Sequence, residues 1–249
     1  MRYKITVEYD GTDLVGWQRQ KDGASAQEYL ENAFEGFSHQ KTEMYGAGRT
    51  DAGVHALAQV AHFDTDLDIS EYKMQESLNA LLRELKAPVC VYHTEKVSED
   101  FHARFSATAR GYIYRILNRR GNSPLNTHRV WHVSYPLDVK KMQEAARFLI
   151  GHHDFSSFRG AGCQAASPVK TLDVLNVEKQ GDEIIFNVEA KSFIYHQVRN
   201  MVGTLQEVGT GKRTPEDVRK ILEACDRRQA GVSAPACGLY LSFVRYEGK

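Results

Sequence analysis

This 249-residue chain lacks most of the signals that assign a protein to a class quickly. No uninterrupted apolar run approaches the ~20 residues that a membrane helix needs, so no membrane association is expected. The opening stretch MRYKITVEYDGTD alternates in type and carries no apolar signal core, which points to a cytoplasmic protein. Only four cysteines occur, at Cys90, Cys163, Cys225 and Cys237, and none form a CxxC pair. Reduced thiols are therefore expected, not a disulfide framework or a zinc site. No GxxxxGK[ST] or GxGxxG segment is present to cradle a nucleotide phosphate, and no HExxH or serine nucleophile elbow appears. Neither a metal nor a cofactor is expected. Net charge is missing as well, with 32 basic against 32 acidic side chains. Nucleic-acid binders are usually basic, so this balance argues against one.

Charge position reverses that inference. No Asp or Glu occurs between Phe101 and Leu137, while Arg104, Arg110, Arg115, Arg119, Arg120 and Arg129 all do, without a lysine. The window 64–100 holds nine acids against four bases. Zero net charge is thus the sum of an acidic block and an arginine-only block. Arginine offers a planar fork to phosphate, and the interleaved Tyr112, Tyr114, His128, Trp131 and His132 offer faces to bases. Such blocks are commonly just solvated faces. The arginine-aromatic mixture favours a polyanion surface.

Periodicity gives two halves with the same order of elements. Tyr3, Ile5, Val7 and Tyr9 alternate with polar residues as a half-buried strand. Ser25-Ala26-Gln27-Glu28 reads as a capping box opening a helix through Phe37. Strands follow near 42–48 and 57–63. Ser70 then caps a helix bearing Met74, Leu78, Leu81, Leu82 and Leu85, and 88–97 is a last strand. This is the βαββαβ order of a ferredoxin-like unit. In the second half a strand at 111–118 precedes a helix capped by Asp138. A hairpin turns at Gly181-Asp182, helices start near Tyr195 and at Pro215, and a strand spans 238–246. The expected fold is α+β, two ferredoxin-like halves (1–105 and 106–249) with mainly antiparallel sheets joined side by side around a central basic cleft.

The segment that looks chemical is Gly46-Ala47-Gly48-Arg49-Thr50-Asp51-Ala52-Gly53-Val54-His55-Ala56. Small residues surround one carboxylate and let a bulky ligand approach. Arg49 would share a side with Asp51 in an extended chain and hold it ionised, ready as nucleophile or base. A loop aspartate closing its own turn beside a surface arginine is the plainer reading, and both stand on local chemistry alone.

GRTDAGVHA also resembles the catalytic loop of the tRNA pseudouridine synthase A family. DFHARFSATARGYIY (100–114), HDFSSFR (153–159), YHQVRNMVG (195–203) and GLYL (238–241) resemble further segments of that family, in the same order along nearly the whole chain. The resemblance implies a two-domain fold, a cofactor-free isomerase, a homodimer, and as substrate uridines at positions 38–40 in the tRNA anticodon arm. It implies that Asp51 is the catalytic aspartate, that Tyr112 stacks on the target base, and that Arg49 serves to flip that base out. It also implies that Arg199 pairs with the aspartate and that Leu239 and Leu241 line the base pocket. The six arginines of 101–137 would meet the tRNA. Ile113, between two tyrosines, stands where the family is often basic. A non-catalytic RNA-binding module with Asp51 as a brace, and a hydrolase using a second carboxylate, are the competing readings.

Overall fold

The computed structural model describes residues 1–247. Contacts group Met1–Thr108 with the segment from Tyr240 onward as one compact unit, and Ala109–Leu239 as another. The division falls near residue 108, and the last strand from Tyr240 groups with the first unit.

In unit 1 the order is β1 (Arg2–Tyr9), α1 (Ala26–Ser38), β2 (Tyr45–Gly46), β3 (His55–Asp64), α2 (Glu71–Glu84) and β4 (Val89–Val97). β1 lies between β4 and β3, antiparallel to both, and β2 pairs antiparallel with the far edge of β3. This is the ferredoxin-like arrangement that the sequence order predicts. Alternation along β1 puts Tyr3, Ile5 and Val7 inward, fully buried. Tyr3 stands opposite Phe63 in register and stacks on it at 5.8 Å, and Phe63 meets Phe34 of α1 edge-on at 5.1 Å. Helix α1 starts at Ser25, whose hydroxyl accepts the Glu28 N–H, and Ser70 serves α2 in the same way. The two-way capping box expected at Ser25 is found instead at Thr214 and Asp217.

β2 is only two residues long, where the sequence predicts seven. The outer edge of β3 is shared: Tyr45 and Gly46 pair near its end, while β10 (Leu239–Tyr246) runs parallel to its start through Tyr240 and Leu241. A second, smaller apolar cluster of Ala47, Val60 and Ala103, with Phe101, Val244 and Tyr246 against it, completes unit 1.

Unit 2 contains β5 (Ala107–Asn118, from Ala109), β6 (Trp131–Val133), α3 (Val139–Arg147), β7 (Gly151–Asp154), β8 (Val169–Gln180), β9 (Glu183–Ala190), α4 (Gln197–Gly209) and α5 (Pro215–Ala224). Its sheet order is β5-β9-β8-β7, antiparallel throughout, with the short β6 added parallel to β5. The β8–β9 hairpin turns at Gly181, which adopts φ +60°. α4 begins at Gln197, two residues after the expected start, because His196 sits left-handed at φ 61° as its N-cap. Every residue of α4 except Arg199 is buried. Gly203 explains how it is covered: a Cβ there would lie 1.8 Å from the Val232 carbonyl oxygen, so only glycine admits the irregular 231–234 segment across the helix.

Candidate active site

The Asp51 loop connects β2 to β3. Thr50 anchors it from below: its carbonyl accepts the Trp17 N–H at 3.2 Å, and its hydroxyl meets the Tyr9 hydroxyl at 2.8 Å in a buried pair. Gly53 donates to the Leu14 carbonyl at 3.2 Å, and the Gln59 amide donates to the Gly48 carbonyl at 2.8 Å. Val54 N–H closes on the Asp51 carbonyl at 3.1 Å with Gly53 at φ +78°, which makes Asp51 the first residue of a type II turn. Exposure alternates along the segment, with Arg49 exposed, Thr50 buried and Asp51 half-buried. The loop is rigid and its carboxylate is reachable.

Two residues that sequence reading passed over set this geometry. Gly16 adopts φ +108°, and a Cβ there would lie 2.2 Å from the Thr50 carbonyl oxygen. Trp17 packs so closely beneath β2 that a Cβ on Gly46 would fall 2.4 Å from its Nε1. The available signal was the pair of glycines in GTDLVGW: Gly11 opens a turn closed by the Leu14 N–H at 3.0 Å, and both glycines admit close approach of the 50–54 backbone.

In unit 2, Tyr112 and Tyr114 face the same side of β5 and divide their roles. Tyr114 is fully buried, and its hydroxyl donates to the Pro235 carbonyl at 2.7 Å; burial holds its pKa well above the usual tyrosine value. Tyr112 is 9% exposed and meets Phe193 edge-on at 5.1 Å. Arg199 is not the solvated helix residue that an amphipathic α4 would carry. Its Nε donates to the Ala234 carbonyl at 2.8 Å, while Ala234 N–H returns a bond to the Arg199 carbonyl at 3.0 Å. Its Nη1 lies 3.3 Å from His196 Nε2. The guanidinium is therefore aimed by backbone. Its charge reaches Tyr114 and Cys237, opposing the burial that raises both pKa values. Leu239 closes unit 2 and is buried, as is Leu241, which pairs with Ala56 in unit 1.

The family model described as tRNA pseudouridine synthase matches residues 5–106 and 145–247. The chain is 53% identical over 245 residues to "tRNA pseudouridine synthase A" of Paramagnetospirillum magneticum, covering 98% of this chain and 95% of that one. The chain belongs to the tRNA pseudouridine synthase A family. Relatives of the same name from Maricaulis maris, at 50% identity, and Bartonella tribocorum, at 47%, each align over 98% or more of both chains. This family is one of isomerases. Of the expected site residues, Arg49, Asp51 and Leu241 fall in unit 1, and Tyr112, Arg199 and Leu239 in unit 2.

The arginines of 101–137 separate into two groups. Arg104, Arg119, Arg120 and Arg129 are exposed. Arg110 is 8% exposed, and its Nη1 donates to the Lys191 carbonyl. Arg115 spends both arms of its fork on Glu183, at 2.9 and 2.7 Å. Arg119 also reaches Asp182 at 3.2 Å. A window without acids in sequence thus meets acids in space, because the β8–β9 turn brings Asp182 and Glu183 beside β5. No group of three or more His, Cys, Asp or Glu among the described residues is placed to hold a metal.

Proposed function

We propose that this family member isomerises uridine to pseudouridine in the anticodon arm of tRNA, with Asp51 as the group acting on the ribose. The observation that carries this reading is the rigid, reachable turn that presents Asp51. The reaction breaks the N1–C1′ bond, turns the base within the site, and rejoins it through C5. Donor and acceptor are one molecule, so the chemistry needs no cofactor. A carboxylate serves either by attacking C1′ and holding an oxocarbenium-like centre, or by removing the C2′ proton. The base must first leave its stack at a cost of roughly a few kcal/mol, and a ring such as Tyr112 offsets about 1–3 kcal/mol of that. Arg49 is assigned to holding the base out. Arg199, fixed on Ala234, is assigned to pairing with the Asp51 carboxylate. Leu239 and Leu241 supply an apolar wall that keeps water from the sugar. The exposed Arg104, Arg119, Arg120 and Arg129 are the arginines best placed to meet phosphates. We read the enzyme as a cytoplasmic homodimer, a reading supported by the family resemblance and checked by sedimentation equilibrium and cell fractionation.

The test is tritium release from tRNA labelled at uridine C5, with the nucleosides identified afterwards. Release matched by pseudouridine is expected. Free uracil as the main product would replace the isomerase reading with a hydrolase.

A further inference from the structure

Strand alternation puts His62 and Phe63 on opposite faces of unit 1. Phe63 packs against α1, so His62 faces away from the helices. On that face a run of rings extends from buried to exposed. Tyr45 stacks on His62 at 5.2 Å and 25°, His62 meets His102 at 4.5 Å, and His102 meets Phe105 at 4.4 Å. His62 is 2% exposed, whereas Tyr45 is 43% and Phe105 is 74% exposed. The Arg104 guanidinium lies 5.5 Å over the Phe105 ring.

The exposed end of this run is held rigidly. His102 Nδ1 accepts the N–H groups of Arg104 and Phe105 at 3.1 and 3.4 Å. His102 N–H donates to the Ser106 hydroxyl at 2.9 Å, and Ser106 N–H returns a bond to the His102 carbonyl at 2.9 Å. Ala103 N–H donates to His62 Nδ1 at 3.2 Å, and the Tyr246 hydroxyl donates to the Ala103 carbonyl at 2.8 Å. Burial lowers the pKa of both histidines, His62 to about 4, so at neutral pH these rings are uncharged faces. The acids nearby are engaged: Glu43 accepts the Tyr45 hydroxyl at 2.7 Å, and Asp64 holds Arg2 through both oxygens.

A phenylalanine ring left in water forgoes the stabilisation that burial would give it. A ring carried on a backbone pinned in this way pays less ordering cost when something stacks on it. Flat faces beside an arginine are how single-stranded RNA bases are held. A stable protein interface needs roughly 800 Å² from each partner, which two exposed rings do not supply.

We propose that Phe105 and Tyr45, braced by His102 and flanked by Arg104, form a stacking platform for an unpaired base of the RNA substrate, away from the base being isomerised. The separation comes from β3: His62 lies seven positions along the strand from His55, next to the Asp51 turn, which is about 23 Å of strand. The platform therefore takes a different nucleotide from the target and acts on affinity. The proposal rests on the tRNA reading above and goes beyond it by naming where a second base is gripped.

The experiment measures Kd and steady-state kinetics on unmodified tRNA with the full chain, for Phe105→Ala, Phe105→Trp and Tyr45→Ala. Phe105→Ala is expected to raise Kd and KM about tenfold, within the span measured for losing one base stack, with kcat within about twofold. Phe105→Trp is expected to keep Kd within about twofold, because it preserves a face. Tyr45→Ala should weaken binding by a smaller factor in the same direction. An unchanged Kd in Phe105→Ala, or a Trp variant as weak as Ala, overturns the platform. So does a loss of oligomeric mass in Phe105→Ala by sedimentation, which would show a second copy covering the ring. If the unsubstituted chain releases no tritium from tRNA, the functional reading fails; if it does and Phe105→Ala binds normally, only the platform fails.

Discussion

The Asp51 loop and the arginine window at 101–137 are opposite cases of local sequence meeting folded structure. In the loop, nearly everything that matters lies within a few residues or comes from one neighbouring segment, 9–17. Small residues leave the carboxylate reachable, and Tyr9, Gly16 and Trp17 stiffen the backbone from below. In the window, residues from far along the chain change the meaning of the charges. Arg115 spends its fork on Glu183 and Arg110 lies buried on a backbone carbonyl, so six arginines in sequence leave four exposed. A motif whose chemistry is set by small neighbours survives folding, whereas a charge run is an inventory that folding partly consumes.

The largest break in that comparison is Asp51→Asn. Shape is kept and charge is lost, so tritium release is expected to fall at least about 10³-fold, the scale for an essential catalytic group, while tRNA Kd changes less than about threefold. Unaltered release would return Asp51 to the role of a turn brace. Next comes Gly16→Ala, which forces a side chain at φ +108° into the Thr50 carbonyl. Strain of about 1–3 kcal/mol, at about 2–4 °C per kcal/mol for a chain of this size, lowers Tm by several degrees, and release should fall with it. Gly121→Ala, where a Cβ meets open space, should leave Tm within about 1 °C.

Smaller effects separate the arginines. Arg120→Ala or Arg129→Ala is expected to reduce the slope of log K against log salt by about 0.7–0.9, one phosphate contact. Arg115→Ala should leave that slope alone and lower Tm slightly by releasing Glu183. Equal slopes for Arg115→Ala and Arg120→Ala would contradict the division made by Glu183. The smallest effect is a pH dependence. His62 titrates near 4 when folded against 6.5 ordinarily, so the unfolded chain takes up the proton first. The contribution is intact above pH 6.5 and is lost as pH falls towards 4. Tm should therefore drop between pH 7 and pH 5, and His62→Asn should flatten that drop.

Much of the fold was legible because its signals are local. Alternation in β1, serine caps before α1 and α2, Asp138 before α3 and the Gly181-Asp182 turn all lie where the pattern put them. What sequence could not carry is competition for partners. β2 holds only His62 and Ala61 on the β3 edge while a strand from almost 200 residues away, β10, pairs with His55 and Ala56, and α4 starts late because His196 is left-handed. The turn at Asp51 could be read from glycines and alanines. The bonds that aim Arg199 could not, since Ala234 lies 35 residues away.

The proposed conversion of anticodon-arm uridines through Asp51 can be read in cells. The most direct measurement maps pseudouridine across total tRNA from cells lacking the chain, then supplied with the original or with Asp51→Asn. Pseudouridine is expected to return to the anticodon arm with the original chain alone. Restoration by Asp51→Asn, or no anticodon-arm pseudouridine with the original chain, would contradict it.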